Sequence, residues 1–115
     1  MDTMNIEELK TRFLELVAAH KVAVAEADHR MANRIHGKLT EVYKEAKVNR
    51  WISIFLDCID SSDGNVSLWA ATFSLTCDQS KAEEKLTELA KSSLSVALDA
   101  ETTLQMWRKG LLNLL

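Results

Sequence analysis

The sequence predicts an all-α protein of about six helices, arranged as three antiparallel hairpins. Three observations point there. The 115 residues include no proline and only three glycines, Gly37, Gly64 and Gly110, too little chain punctuation for turn-rich β structure. Apolar residues recur at helical spacing along most of the chain. Residues 63–75, reading Asp-Gly-Asn-Val-Ser-Leu-Trp-Ala-Ala-Thr-Phe-Ser-Leu, form a turn and cap leading into a helix that is apolar on nearly every side. Such a helix must be covered by its neighbours. At this length one domain spanning residues 1–115 is expected, with 47% hydrophobic and 27% charged residues, ordinary for a globular protein.

The first helix runs from about Ile6 into the early twenties. Asn5 caps it, Glu8 sits three residues on as in a capping box, and Ile6, Leu9, Phe13, Leu16 and Val17 form the apolar stripe. The alanine-rich segment up to Ala27 can extend it, with a break near Asp28, which caps a second helix reaching about Lys47. There Ala32, Ile35, Leu39, Val42, Tyr43 and Ala46 face inward, and Gly37 faces out at modest cost. A third helix follows Asn49 and buries Ile52, Phe55, Leu56 and Ile59. The Ser61-Ser62-Asp63-Gly64 turn then opens the fourth, with Val66, Trp69, Ala70, Phe73 and Cys77 on one side. Asp78 caps a fifth helix whose core side is Ala82, Leu86, Leu89 and Ala90. Residues 92–98 read as an ordered connection. Asp99 is expected to cap the sixth helix, with Ala100, Leu104, Trp107 and Leu111 in one stripe and Gly110 at its end. Helical pairs joined by short turns are how α-solenoids are built.

No residue pattern points to catalysis. His29 and His36 lie two turns apart, about 10 Å along a helix, too far for one metal ion. Neither His-x-x-x-His nor Cys-x-x-Cys occurs. The adjacent Glu83 and Glu84 diverge on a helix, and Glu7-Glu8 is better read as dipole-favoured charge than as an acid/base pair. There is no glycine-rich phosphate loop. An enzyme is not expected, and neither is a cofactor, a metal or a small-molecule substrate. Cys58 and Cys77 read as buried free thiols, and the three tryptophans as core or pocket residues, with Trp51 the best placed for exposure as a binding anchor. The apolar C-terminal Leu111-Leu112-Asn113-Leu114-Leu115 is expected to pack back on the sixth helix, though it would equally suit packing on another chain, so oligomeric state stays open. The absence of a basic-then-apolar N-terminal segment and of any long apolar run implies a cytoplasmic protein with no membrane span.

The formal charge of −3 is unevenly spread. Residues 21–50 carry seven basic against four acidic side chains, and residues 51–100 carry three against eight. Two solvated faces account for this, and so does an acidic surface that steers a basic partner. The interface candidates are Trp51, Asp57, Asp60, Asp63, Glu83 and Glu84. Arg30, Arg34, Lys38, Lys44 and Lys47 are the residues that phosphate contacts would use. Glu41 and Glu45 interrupt them and aromatic interleaving is missing, so nucleic-acid binding is a weak alternative.

Residues 63–71, Asp-Gly-Asn-Val-Ser-Leu-Trp-Ala-Ala, are similar to the second helix of a HEAT-type repeat. With residues 27–34, Ala-Asp-His-Arg-Met-Ala-Asn-Arg, and residues 99–110, Asp-Ala-Glu-Thr-Thr-Leu-Gln-Met-Trp-Arg-Lys-Gly, the chain resembles a small bacterial HEAT-like family of unknown function along nearly its whole length. It departs from the usual repeat in lacking a proline at the first-helix bend. The resemblance implies a HEAT-like helical stack, and some family members accompany polymorphic toxins. The implied role is therefore immunity: binding and neutralising a cognate toxin domain, such as a nuclease of a contact-dependent inhibition or polymorphic toxin system, with no catalytic residue carried over. A general protein-interaction scaffold is the alternative.

Overall fold

The computed structural model describes residues 5–112. It is all-helical: α1 (Ile6–Ala25), α2 (His29–Val48), α3 (Ser53–Cys58), α4 (Gly64–Ser74), α5 (Gln79–Ala90) and α6 (Ala97–Arg108), with no strand among the described residues. No helix in this range is long and apolar enough to cross a membrane. The chain divides into two compact units, one ending at Ile54 and one beginning at Phe55.

In the first unit, α1 and α2 pack on each other as a hairpin. Each starts at a local cap. Asn5 Oδ1 accepts from the Glu8 N–H (2.8 Å), and the Asn5 amide donates to the Glu8 carboxylate (2.9 Å). Asp28 Oδ1 accepts from the Met31 N–H (3.0 Å), satisfying a donor that the first turn leaves orphaned. Leu9, Phe13 and Val17 are buried as the periodicity predicts, joined by Ala23, while Ile6 and Leu16 are only half-buried. All six predicted α2 residues are buried.

Both helices end on a device the sequence hides. The Asp28 N–H donates to the Ala23 carbonyl (2.9 Å) and the Ala27 N–H to that of Val24 (3.0 Å). In the same way the Trp51 N–H donates to Ala46 (2.7 Å) and the Arg50 N–H to Lys47 (3.3 Å). These are Schellman pairs, which need a left-handed residue just past the helix. Ala27 (φ 56°) and Arg50 (φ 60°) supply it without being glycine. Gly110 (φ 70°) does the same after α6, where the Leu111 N–H reaches the Met106 carbonyl (2.8 Å), as its position predicts.

The second unit builds on α4, which packs on α5, as α5 does on α6. Val66, Ser67, Ala70, Ala71, Phe73 and Ser74 of α4 are buried. Two hydroxyls inside this apolar helix are satisfied: Ser67 donates to the Ile59 carbonyl (2.6 Å) and Ser74 to that of Ala70 (2.7 Å). The Phe73 ring lies 5.1 Å from Phe55 and 5.7 Å from Trp69, both tilted, an attractive aromatic geometry. The Ser67 bond and the Phe55 contact tie α3 to α4. Gly64 has a packing reason as well as a turn reason, since a Cβ there would meet Leu94 at 3.2 Å and Val96 at 3.3 Å.

Several expectations are corrected. The third helix is shorter than predicted and buries Ile54, Phe55 and Cys58, followed by Ile59, whereas Ile52 and Leu56 are half-buried. Phe55 and Ile59 stay on the buried face, which is turned by roughly a quarter of a helical turn. Asp99 is not a cap. α6 starts three residues earlier behind Val96, which makes no side-chain cap bond, and Asp99 sits in the first turn, where a carboxylate still favours the dipole. Trp51, Trp69 and Trp107 are all half-buried, so none is full core. Both cysteines are free, Cys58 buried but Cys77 exposed, because α4 ends at Ser74 and places Cys77 in the following turn. Leu111 is 64% exposed, off the expected α6 stripe, because the Schellman turn at Gly110 redirects the chain. Asn113, Leu114 and Leu115 of the apolar tail lie outside the described residues.

Candidate functional site

The acidic residues singled out in the second unit have different fates. Asp63 is exposed but occupied: its Oδ1 accepts from the Asn65 N–H (2.9 Å), capping α4, and its own N–H donates to Ser61 Oγ (3.1 Å). Asp60 lies past the end of α3 and reaches α5, with Lys85 Nζ 3.2 Å and Lys81 Nζ 3.9 Å from its carboxylate. Lys85 also holds Glu88 at 3.3 Å. This ammonium side chain is only 17% exposed, between carboxylates that are each 68% exposed. Burial alone would pull Lys85 down. Hydrogen bonds to Asp60 and Glu88, and the attraction of both charges, outweigh it and hold the group above its ordinary 10.5. Glu83 accepts from Gln79 Nε2 (2.8 Å) and lies 3.9 Å from Arg108 Nε, so it ties α5 to α6.

Two of the six candidates keep open charge. Asp57 on α3 and Glu84 on α5 are exposed, and neither enters an ion pair or side-chain hydrogen bond among the described residues. Glu84 stands one turn from both Lys81 and Glu88 along α5. Trp51 belongs to the first unit, half-buried just past the Schellman turn of α2. The acidic surface is thus smaller than the residue count implies, because Lys81, Lys85 and Arg108 neutralise part of it. The Lys85–Glu88 pair at i,i+3 was legible in sequence. The reach of Lys81 and Lys85 to Asp60 depends on tertiary packing.

The chemistry this surface offers is recognition by charge and shape. Among the described residues no group of three His, Cys, Asp or Glu is placed to hold a metal ion. His29 and His36 are exposed and His20 half-buried. Among the described residues no buried side-chain nitrogen or oxygen is left without a partner, so no orphaned polar group there marks a ligand position.

No protein-family model matches the chain, and no curated protein matches it. Among solved structures, the chain is similar to the crystal structure of the protein RPA1889 from Rhodopseudomonas palustris CGA009, with a TM-score of 0.87 at 23% identity over 98% of each chain; at that identity the likeness is one of fold.

Proposed function

We propose that the protein acts by binding another protein, and that its partner is a toxin domain it neutralises in the bacterial cytoplasm. The observation that carries this reading is the pair of open carboxylates, Asp57 and Glu84, on a unit where Asp60, Asp63, Asp78, Glu83 and Glu88 are already held by caps or cations. Fixed neighbours reduce the ordering entropy that a partner's basic side chains must overcome. A toxin that acts on nucleic acid has a basic groove, and carboxylates on a rigid helical surface take the place of phosphate there. The family resemblance adds the immunity context to this electrostatic argument.

The test is co-expression with the product of a neighbouring toxin-like gene, followed by size-exclusion chromatography of the mixture. Protection of the host and a stable complex are expected, with Asp57→Lys and Glu84→Lys slowing association most at low salt. No protection and no complex would overturn the proposal.

A further inference from the structure

The solvent face of α2 breaks two local rules without a folding reason. Arg30, Arg34 and Lys38 follow one another at i, i+4 and i+8, all exposed, in the half of the helix nearest its positive end. No acidic residue lies in the first turn of α2, and none of the three cations enters an ion pair among the described residues. Like charges at i,i+4 oppose folding, and so does a cation in the first turn, which here is Arg30 alone, two residues from the Asp28 cap. Beside them on the same face is Gly37, in mid-helix, exposed, where an added Cβ would meet nothing within 4 Å. The other two glycines have structural work, one in close packing against Leu94 and Val96 and one at positive φ. Among the described residues Gly37 has none, and the open space beside it leaves room for the close approach of a backbone from outside.

We infer that this face of α2 docks an acidic helix of another protein, with Gly37 as the point of closest backbone approach. The cations rise about 6 Å apart, the spacing of carboxylates at i, i+4 and i+8 on a partner helix, so the charges meet one to one. One turn further along, Glu41 and Glu45 reverse the sign on the same face. That reversal disfavours nucleic acid, whose phosphates continue at even density past the end of the stripe. It also sets the register: the partner carries basic residues opposite Glu41 and Glu45. A second copy of α2 set antiparallel would place Glu45 and Glu41 against Arg30 and Arg34, so self-association is the competing occupant that the test separates; no described helix has acidic residues at i, i+4 and i+8 to meet all three cations. This surface lies in the first unit and does not rest on the immunity reading.

The probes are two synthetic helical peptides, one with Glu at i, i+4 and i+8 and Lys at i+11 and i+15, the other with that order reversed. Each is titrated into the full chain at low ionic strength and followed by amide shifts in NMR. Saturable shifts centred on Arg34, Gly37 and Lys38 with one of the peptides are expected. Each exposed cation replaced by glutamine should weaken binding by up to about fivefold. Arg34→Glu should lose the peptide and regain a version with Lys for its central Glu. Gly37→Ala should raise the melting temperature of the free protein by about 4 °C while weakening the peptide, opposite signs that a purely structural glycine would not give. Absence of localised shifts with both peptides, tighter binding of a DNA or RNA oligonucleotide at the same residues, or the same shifts appearing on concentrating the protein alone as it dimerises, would overturn the inference.

Discussion

Replacing Ala27 by glycine should stabilise the protein, against the usual rule that glycine weakens helical chains. Ala27 sits at φ 56° between α1 and α2, exposed, with its N–H and that of Asp28 closing the Schellman pair on Val24 and Ala23. The left-handed conformation crowds Cβ against the following carbonyl and costs an L-residue about 1–2 kcal/mol. Glycine escapes that penalty but loses about 0.5–1 kcal/mol more backbone entropy on folding. The difference leaves a gain of about 0.5–1 kcal/mol, since the exposed methyl contributes little packing. For a domain of this size that is a rise of about 2–8 °C in melting temperature. Thermal and urea denaturation followed by circular dichroism would measure it. Ala19→Gly, exposed within α1, is the control and should lose about 1 kcal/mol. If Ala27→Gly loses as much as the control, the left-handed assignment and the reasoning built on it are wrong.

Arg50→Gly should repeat the gain at the end of α2, where φ is 60°, by about the same 0.5–1 kcal/mol in the same melts. Ser67→Ala should cost about 1–3 kcal/mol in urea unfolding, because it strands the Ile59 carbonyl that the buried hydroxyl reaches at 2.6 Å. A maleimide reagent should label Cys77 in the folded protein and Cys58 only after denaturant is added, as mass spectrometry of the two peptides would show. Lys85 gives a pH signature at the alkaline end. Its folded pKa lies above the ordinary 10.5, so its contribution is fully present below that value and is lost as pH rises through the folded pKa. Stability measured across that range should fall more steeply in the native chain than in Lys85→Met.

What the sequence revealed was whatever its physics made local. Asn5, Asp28, Asp63 and Asp78 were read as caps, and each accepts from a backbone N–H within three residues of itself, so nothing distant had to be known. The same locality explains the misreading of Asp99. It is a good capping residue two positions inside a helix that starts at Ala97, and the start was set by the chain packing Val96 beneath Gly64. The ends at Ala27 and Arg50 were invisible because glycine is the signal for that turn and neither residue is glycine.

Charge is the least local property, and the candidate surface shows why. Counting carboxylates between residues 51 and 100 treats them as alike, but their electrostatic worth depends on which cation the fold brings alongside. Lys85 reaches back 25 positions to Asp60, and Arg108 reaches back 25 to Glu83. Both distances exceed anything helical periodicity encodes. Each such pair removes a charge from the outward field and fixes a side chain, so the surplus shrinks as the surface becomes more ordered. Asp57 and Glu84 matter because neither is held this way. The same logic separates α2 from the rest of the chain, since among the described residues Arg30, Arg34 and Lys38 enter no ion pair and Gly37 has open space beside it. An exposed unpaired charge is hydrated at little cost, so what it offers is selectivity by sign: the two proposals require a basic partner for the second unit and an acidic one for α2.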